Sequence, residues 1–168
     1  ERKIRLAALR LLAHGGGAEV LDPLQAMLMK GGSSELDAIE DALRAVAVRS
    51  GNAQAMTAKL MAGLPQAAPS QRCVLLRLIG VLGAPAGLNA IRAASGDADP
   101  QVREAAFRAL CGWPAATVAG DLLDLAKAPE GGTRKILALR GYIRLIGGPD
   151  VPADRKIVMC RDAALLAQ

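Results

Sequence analysis

The sequence predicts an all-α fold, an α-solenoid of about five helix pairs and about ten helices, in 168 residues. Three observations predict it. Hydrophobic residues make up 52% of the chain and aromatics only 2%. The apolar half is therefore Ala and Leu, the best helix formers, and not the aromatic and β-branched residues that mark strands. Gly occurs 18 times and Pro nine times, so the helices must be short and the turns many. Finally, a large apolar residue followed by arginine recurs inside a helical pattern as Leu9-Arg10, Leu43-Arg44, Leu76-Arg77, Phe107-Arg108 and Leu139-Arg140. The arginine spacings are 34, 33, 31 and 32 residues, a period typical of stacked repeats.

The clearest unit is Asp99-Pro100-Gln101-Val102-Arg103-Glu104-Ala105-Ala106-Phe107-Arg108-Ala109-Leu110. The Asp99 carboxylate is placed to accept from an orphan N–H of the first turn. Pro100 sits where its missing N–H costs nothing, and Val102, Ala105, Ala106, Ala109 and Leu110 form one apolar stripe. Helices of this kind are expected at 2–13, 34–49, 69–82, 99–111 and 131–146. Each ends in a breaker: His14-Gly15-Gly16, Arg49-Ser50-Gly51, Val81-Leu82-Gly83, Gly112-Trp113-Pro114 and Ile146-Gly147-Gly148. A second helix follows each time, at 18–30, 52–63, 85–95, 115–127 and 152–167, carried in turn by Leu21/Leu24/Leu28, Met56/Leu60/Met61, Leu88/Ile91, Val118/Leu122/Leu125 and Ile157/Val158/Leu165. The repeat units are then roughly 1–31, 32–66, 67–97, 98–129 and 130–168 of a single domain, 1–168. One pair cannot bury its own stripe, but stacked neighbours can. Gly80 and Gly141 each cost a helix about 1 kcal/mol against Ala, which makes sense where a neighbouring helix approaches closely.

The unit from Asp99 to Leu110 resembles the HEAT-like repeat, including the short form of about thirty residues of the phycobilisome-lyase type. Asp99, Val102 and Arg103 match its pattern fully. The other copies match loosely, with Ser70 or Gln71, and Gly132-Thr133, at the opening positions. The stretch from Arg72 to Gly148 is also similar to repeat segments embedded in large multidomain bacterial proteins, often exported. The resemblance implies a right-handed solenoid whose arginine-bearing helices, those expected at 2–13, 34–49, 69–82, 99–111 and 131–146, line the concave face, and binding to other macromolecules in place of chemistry. It also implies that Asp99 and Arg103 belong to a ladder between repeats.

Two sets of basic residues follow from the register. Arg10, Arg44, Arg77, Arg108 and Arg140 form a stripe along one side of a stack whose helices lie about 8–10 Å apart. Arginine's planar fork suits carboxylates and phosphates, so the stripe is a candidate binding surface. The alternative is internal pairing, and Glu40 and Glu104 each stand four residues before a ladder arginine, a favourable helix spacing. Arg5, Arg72, Arg103 and Lys135 stand five residues before ladder arginines, with Ile39 breaking the pattern in the second copy. With Asp97 and Asp99 nearby, these read as a structural ladder.

Catalytic residues are not expected. The one histidine, His14, stands before Gly15-Gly16-Gly17 as an ordinary helix end, so a triad or an activated cysteine has no base. Glu35, Asp37, Glu40 and Asp41 favour the dipole at a helix start. No spacing suggests a metal site, and no cofactor is expected. Cys73, Cys111 and Cys160 are odd in number and far apart, neither a disulfide framework nor a zinc site, and are expected to be buried. Phe107, Trp113 and Tyr142 are expected in the core between repeats.

The net charge of +5 permits acidic partners or nucleic acid without establishing either. The longest uncharged run, Leu78 to Ile91, is too short to span a bilayer. The chain opens on Glu1 inside a helical pattern, which gives the expectation of a segment of a longer protein. The compartment, cytoplasmic or exported, is left open. The favoured reading is a non-enzymatic scaffold that binds a protein or peptide. The rivals are duplex DNA binding along the arginine stripe and a chromophore-lyase-like enzyme. End-to-end self-association is a further expectation, because both terminal helices carry an apolar stripe.

Overall fold

The structure, a computed structural model, describes residues 2–30, 35–128 and 132–167. Among the described residues it holds ten α-helices and no strand: α1 (Arg2–Gly15), α2 (Leu21–Lys30), α3 (Leu36–Arg49), α4 (Ala53–Gly63), α5 (Pro69–Leu82), α6 (Pro85–Ala94), α7 (Pro100–Gly112), α8 (Ala119–Lys127), α9 (Thr133–Ile146) and α10 (Ala153–Leu166). The expected helix starts at 34 and 131, the boundaries at 31/32 and 129/130, and Glu1 itself lie outside the described residues.

The punctuation explains the boundaries. Pro69, Pro85 and Pro100 each open a helix, where a missing N–H is harmless. The Asp99 carboxylate accepts from the N–H groups of Gln101 (2.7 Å) and Val102 (3.3 Å), and Asn52 accepts from Ala55 N–H at 3.0 Å to start α4. Gly83 ends α5 with φ +62°, a left-handed cap that glycine takes without strain. Two helices start later than their apolar pattern, after 3₁₀ turns at Ala18–Val20 and Ala116–Val118. In the first case Pro23 cannot donate to the carbonyl four residues back, so the α register begins only at Leu21.

The chain divides into two compact units, Glu1–Ala106 and Phe107–Gln168, with the boundary inside α7. In the first unit α1 packs on α3 and α3 on α5, while α2 packs on α4 and α4 on α6. Sequential neighbours join these two layers, as α2 with α3, α4 with α5 and α5 with α6. That is the repeat-like packing a 32-residue period calls for. The seam holds Leu9, Leu24, Leu28, Leu43, Val46, Leu60, Leu75, Ile79 and Ile91, all buried. α5 is flanked by α3, α4 and α6, and Cys73, Val74, Leu75, Leu76, Leu78, Ile79 and Gly80 are all buried. A helix apolar on nearly every side belongs inside a stack. Gly87 on α6 is there for clearance, since an added Cβ would run into Ile79 and come within 3.0 Å of Thr57.

In the second unit α9 packs on α8 and α10. Phe107, Ala126 and Ala138 form a buried cluster, with Cys111, Leu125, Leu137, Leu139 and Leu166 against it. The Arg134 guanidinium lies over the Phe107 ring, 4.3 Å from its centre, a cation–π contact. Gly141 lets α9 approach the end of α7 closely: a Cβ there would stand 2.7 Å from the Cys111 carbonyl oxygen and 3.2 Å from Leu122. Trp113 and Tyr142 are buried with Phe107. The cysteines divide, contrary to expectation: Cys73 is buried, Cys111 half-buried and Cys160 exposed. The reason lies in α10, which turns Met159 and Ala163 inward and leaves Ile157, Val158 and Cys160 outside.

Candidate functional site

The ladder arginines stand on the odd-numbered helices, and their surroundings differ from copy to copy. On α3, Arg44 Nη2 donates to Glu40 Oε1 at 2.6 Å. On α5, Arg77 Nε donates to both Glu40 oxygens, at 3.0 and 3.1 Å, and Nη2 donates to Oε2. One carboxylate thus holds two guanidinium groups from adjacent repeats. The Glu40 side chain is only 8% exposed, whereas Arg44 and Arg77 keep 43% and 39% of theirs in solvent. Burial by itself raises the Glu40 carboxyl, but the hydrogen bonds and charges of Arg77 and then Arg44 outweigh it and hold the group below the usual carboxylate range. In return, the Glu40 hydrogen bond holds Arg77 more firmly protonated.

Arg10 on α1 is exposed, and its guanidinium has no partner among the described residues; its carbonyl takes His14 Nδ1 at 2.8 Å. In the second unit Arg108 and Arg140 are both exposed. Together with Cys111, Gly112, Leu137 and Arg144 they line a shallow hollow of about 390 Å³. Arg144 is tethered, its Nη2 donating to the carbonyls of Trp113 (2.6 Å) and Cys111 (3.3 Å) at the end of α7. No carboxylate lines this hollow among the described residues.

The flanking set makes its contacts at helix starts and turns. Arg5 pairs with Glu35 at 2.9 Å. Arg72 pairs with Asp97, and Arg103 donates to the carbonyls of Asp97 (2.8 Å) and Ala98 (2.9 Å). Asp97 also accepts from Asp99 N–H at 2.9 Å, so this one carboxylate organises the turn into α7 that Asp99 caps. Lys135 is half-buried and has no side-chain partner among the described residues. The Arg72–Asp97 pair borders a second hollow, of about 510 Å³, lined mainly by Leu64, Pro65, Leu76, Ala90 and Ala93. The described residues bring together no group of three metal-ligating side chains, and no described helix is long and apolar enough to cross a membrane.

Sequence reasoning missed one device entirely, the capping of a helix end by a side chain from a later repeat. Arg49 on α3 donates to the carbonyls of Ala13, His14 (2.9 Å) and Gly16 (3.3 Å) at the end of α1. Gln71 on α5 donates to Leu28 (3.0 Å) and Met29 (3.1 Å) at the end of α2, and Arg144 does the same for α7. Each satisfies carbonyls that a helix end leaves without partners. The available signal was a basic residue in the last turn of α3 and of α9. Comparisons with protein-family models, with curated proteins and with solved structures find no match to this chain.

Proposed function

We propose that this chain is a non-enzymatic interaction module, a right-handed α-solenoid of HEAT-like repeats that binds a protein or peptide on the face carrying the ladder arginines. The repeat period and the two-layer packing of the first unit support the architecture. The observation that carries the binding reading is that the ladder arginine reaches solvent in every copy. Arg10, Arg108 and Arg140 are exposed, and Arg44 and Arg77, which share Glu40, keep about two fifths of their side chains in water. A position used only as glue between repeats would be under no pressure to keep a long charged side chain at the surface.

Selection from a displayed library of random peptides tests this. The reading predicts enriched peptides whose binding is lost in a triple variant, Arg10→Glu, Arg108→Glu and Arg140→Glu, that still melts as one folded protein. An empty selection, or peptides indifferent to these substitutions, contradicts it. So does tighter binding to a DNA duplex with a steep salt dependence, the signature of counterion release.

A further inference from the structure

We propose that the hollow between the end of α7 and α9 is the seat of an acidic amphipathic helix. Its carboxylates meet Arg140 and Arg144, and its apolar face covers Ile136 and Ile143. This rests on the reading of the chain as a peptide-binding module and names the chemistry of the peptide. Arg140, which has no ion-pair partner among the described residues, and Arg144, which is held only by backbone carbonyls, line one concavity whose described lining contains no carboxylate, so the two give the site a positive field that an anion relieves. Arg144 is held by its Nη2 alone, and a guanidinium has five N–H donors, so its orientation is fixed while donors remain for a ligand. Preorganised forks of this kind recognise carboxylates bidentately.

The apolar half of the surface belongs to α9. Ile136 is 57% exposed and Ile143 48% exposed. They stand one turn to either side of Arg140 on the outer face of the helix, with Leu137 in the wall of the hollow. Two isoleucines seven residues apart are about 10.5 Å apart along the axis, the spacing of apolar anchors on a helical partner. A phosphate backbone has no use for them. A partner with apolar residues at i and i+7 and glutamates beside them satisfies both halves of the surface.

The test uses the intact protein and a fluorescein-labelled peptide of about 16 residues with Leu at i, i+3, i+4 and i+7 and Glu elsewhere, read by fluorescence anisotropy. A scrambled isomer of identical composition, a Lys-for-Glu peptide and a DNA duplex serve as competitors. The expected result is binding of the acidic amphipath, with the scrambled isomer about tenfold weaker. Arg140→Glu and Gly112→Leu are each expected to weaken binding by about tenfold. The second variant changes no charge: an added Cβ at Gly112 meets nothing within 4 Å, so the leucine fills the hollow without strain. Lys3→Glu, an equal change of charge at an exposed position on α1, is expected to shift affinity less than about twofold, within the range of a rim contact. Equal binding of the scrambled isomer, an equal effect of Lys3→Glu, or tighter binding of the duplex overturns the inference. So does a dimer of the free protein that Gly112→Leu dissolves, because the hollow is then its own interface. If the acidic peptide fails while the displayed library yields ladder-dependent peptides of other chemistry, this inference alone falls; an empty library removes the reading beneath it.

Discussion

On α5, Arg77 reaches back to Glu40 of α3 and shares that buried carboxylate with Arg44. On α9, Arg140 occupies the same place in the repeat, but its guanidinium has no ion-pair partner among the described residues. Nothing in the helix itself distinguishes the two arginines. They differ in what lies beside them: Glu40 of the preceding repeat, buried at the seam, takes the Arg77 guanidinium, and no described carboxylate takes that of Arg140. The register fixes where a side chain emerges, and the neighbouring residue decides whether it holds the stack together or faces solvent. The first unit thus uses its ladder partly for cohesion, while the second gathers Arg108, Arg140 and Arg144 around an open hollow.

The largest effect is expected where α9 approaches α7, because that approach builds the hollow. Gly141→Val drives a branched side chain into the Cys111 carbonyl and Leu122 and is expected to cost about 3 kcal/mol of stability. The single tryptophan, Trp113, is buried in the second unit, so its fluorescence during urea denaturation reads this loss directly. Breaking the closed side of the comparison comes next. Glu40→Ala leaves two arginines half-buried around an empty place and is expected to cost about 2 kcal/mol, below the range for fully buried pairs because both arginines reach water. The sign with pH follows from the lowered carboxyl. Its contribution is complete at neutral pH and is lost as pH falls below the ordinary glutamate value of about 4.3. Stability of Glu40→Gln should therefore change less between pH 6 and pH 3 than that of the wild type, an outcome that acid titration of the unfolding free energy checks.

A gentler change converts the open copy into a closed one. Ile136→Glu places a carboxylate four residues before Arg140, as Glu40 stands before Arg44. Stability should move by no more than about 0.5 kcal/mol, while affinity for the acidic peptide should fall by about tenfold. Anisotropy and urea denaturation on the same preparation separate the two effects. The smallest effect is silent at neutral pH. Tyr142 is pushed up to about 12 by burial and by the charge and hydrogen bond of Asp162, 3.2 Å away. It is the only tyrosine, so an ultraviolet titration gives its midpoint without deconvolution. Stability from this group is complete below its ordinary value of about 10 and lost as pH rises towards 12. Asp162→Asn should bring the midpoint down.

The architecture was legible because its signals are local. Pro69, Pro85 and Pro100 open helices, Gly83 closes one, and the Asp99 cap acts within three residues. The ladder positions were legible as a period. What the ladder touches was not, since Arg77 and Glu40 are 37 residues apart and no local pattern says which of several acids a long side chain will find. The same holds for Arg49, whose sequence context is a helix breaker but whose guanidinium ties down the end of α1 33 to 36 residues away. The hollow itself is a negative feature, made by the glycine at 112 and the clearance at Gly141, and a sequence gives no sign of where side chains leave a gap. Cys160 was misplaced because an apolar helical stripe does not say which of two faces is covered.

The most direct test of the account compares Arg77→Ala with Arg140→Ala by urea denaturation under identical conditions. The account predicts a loss of about 2 kcal/mol for Arg77→Ala, which leaves the buried Glu40 carboxylate with Arg44 as its one guanidinium, and a change within about 0.5 kcal/mol for Arg140→Ala. Equal losses would contradict it, because the two arginines would then be doing the same structural work.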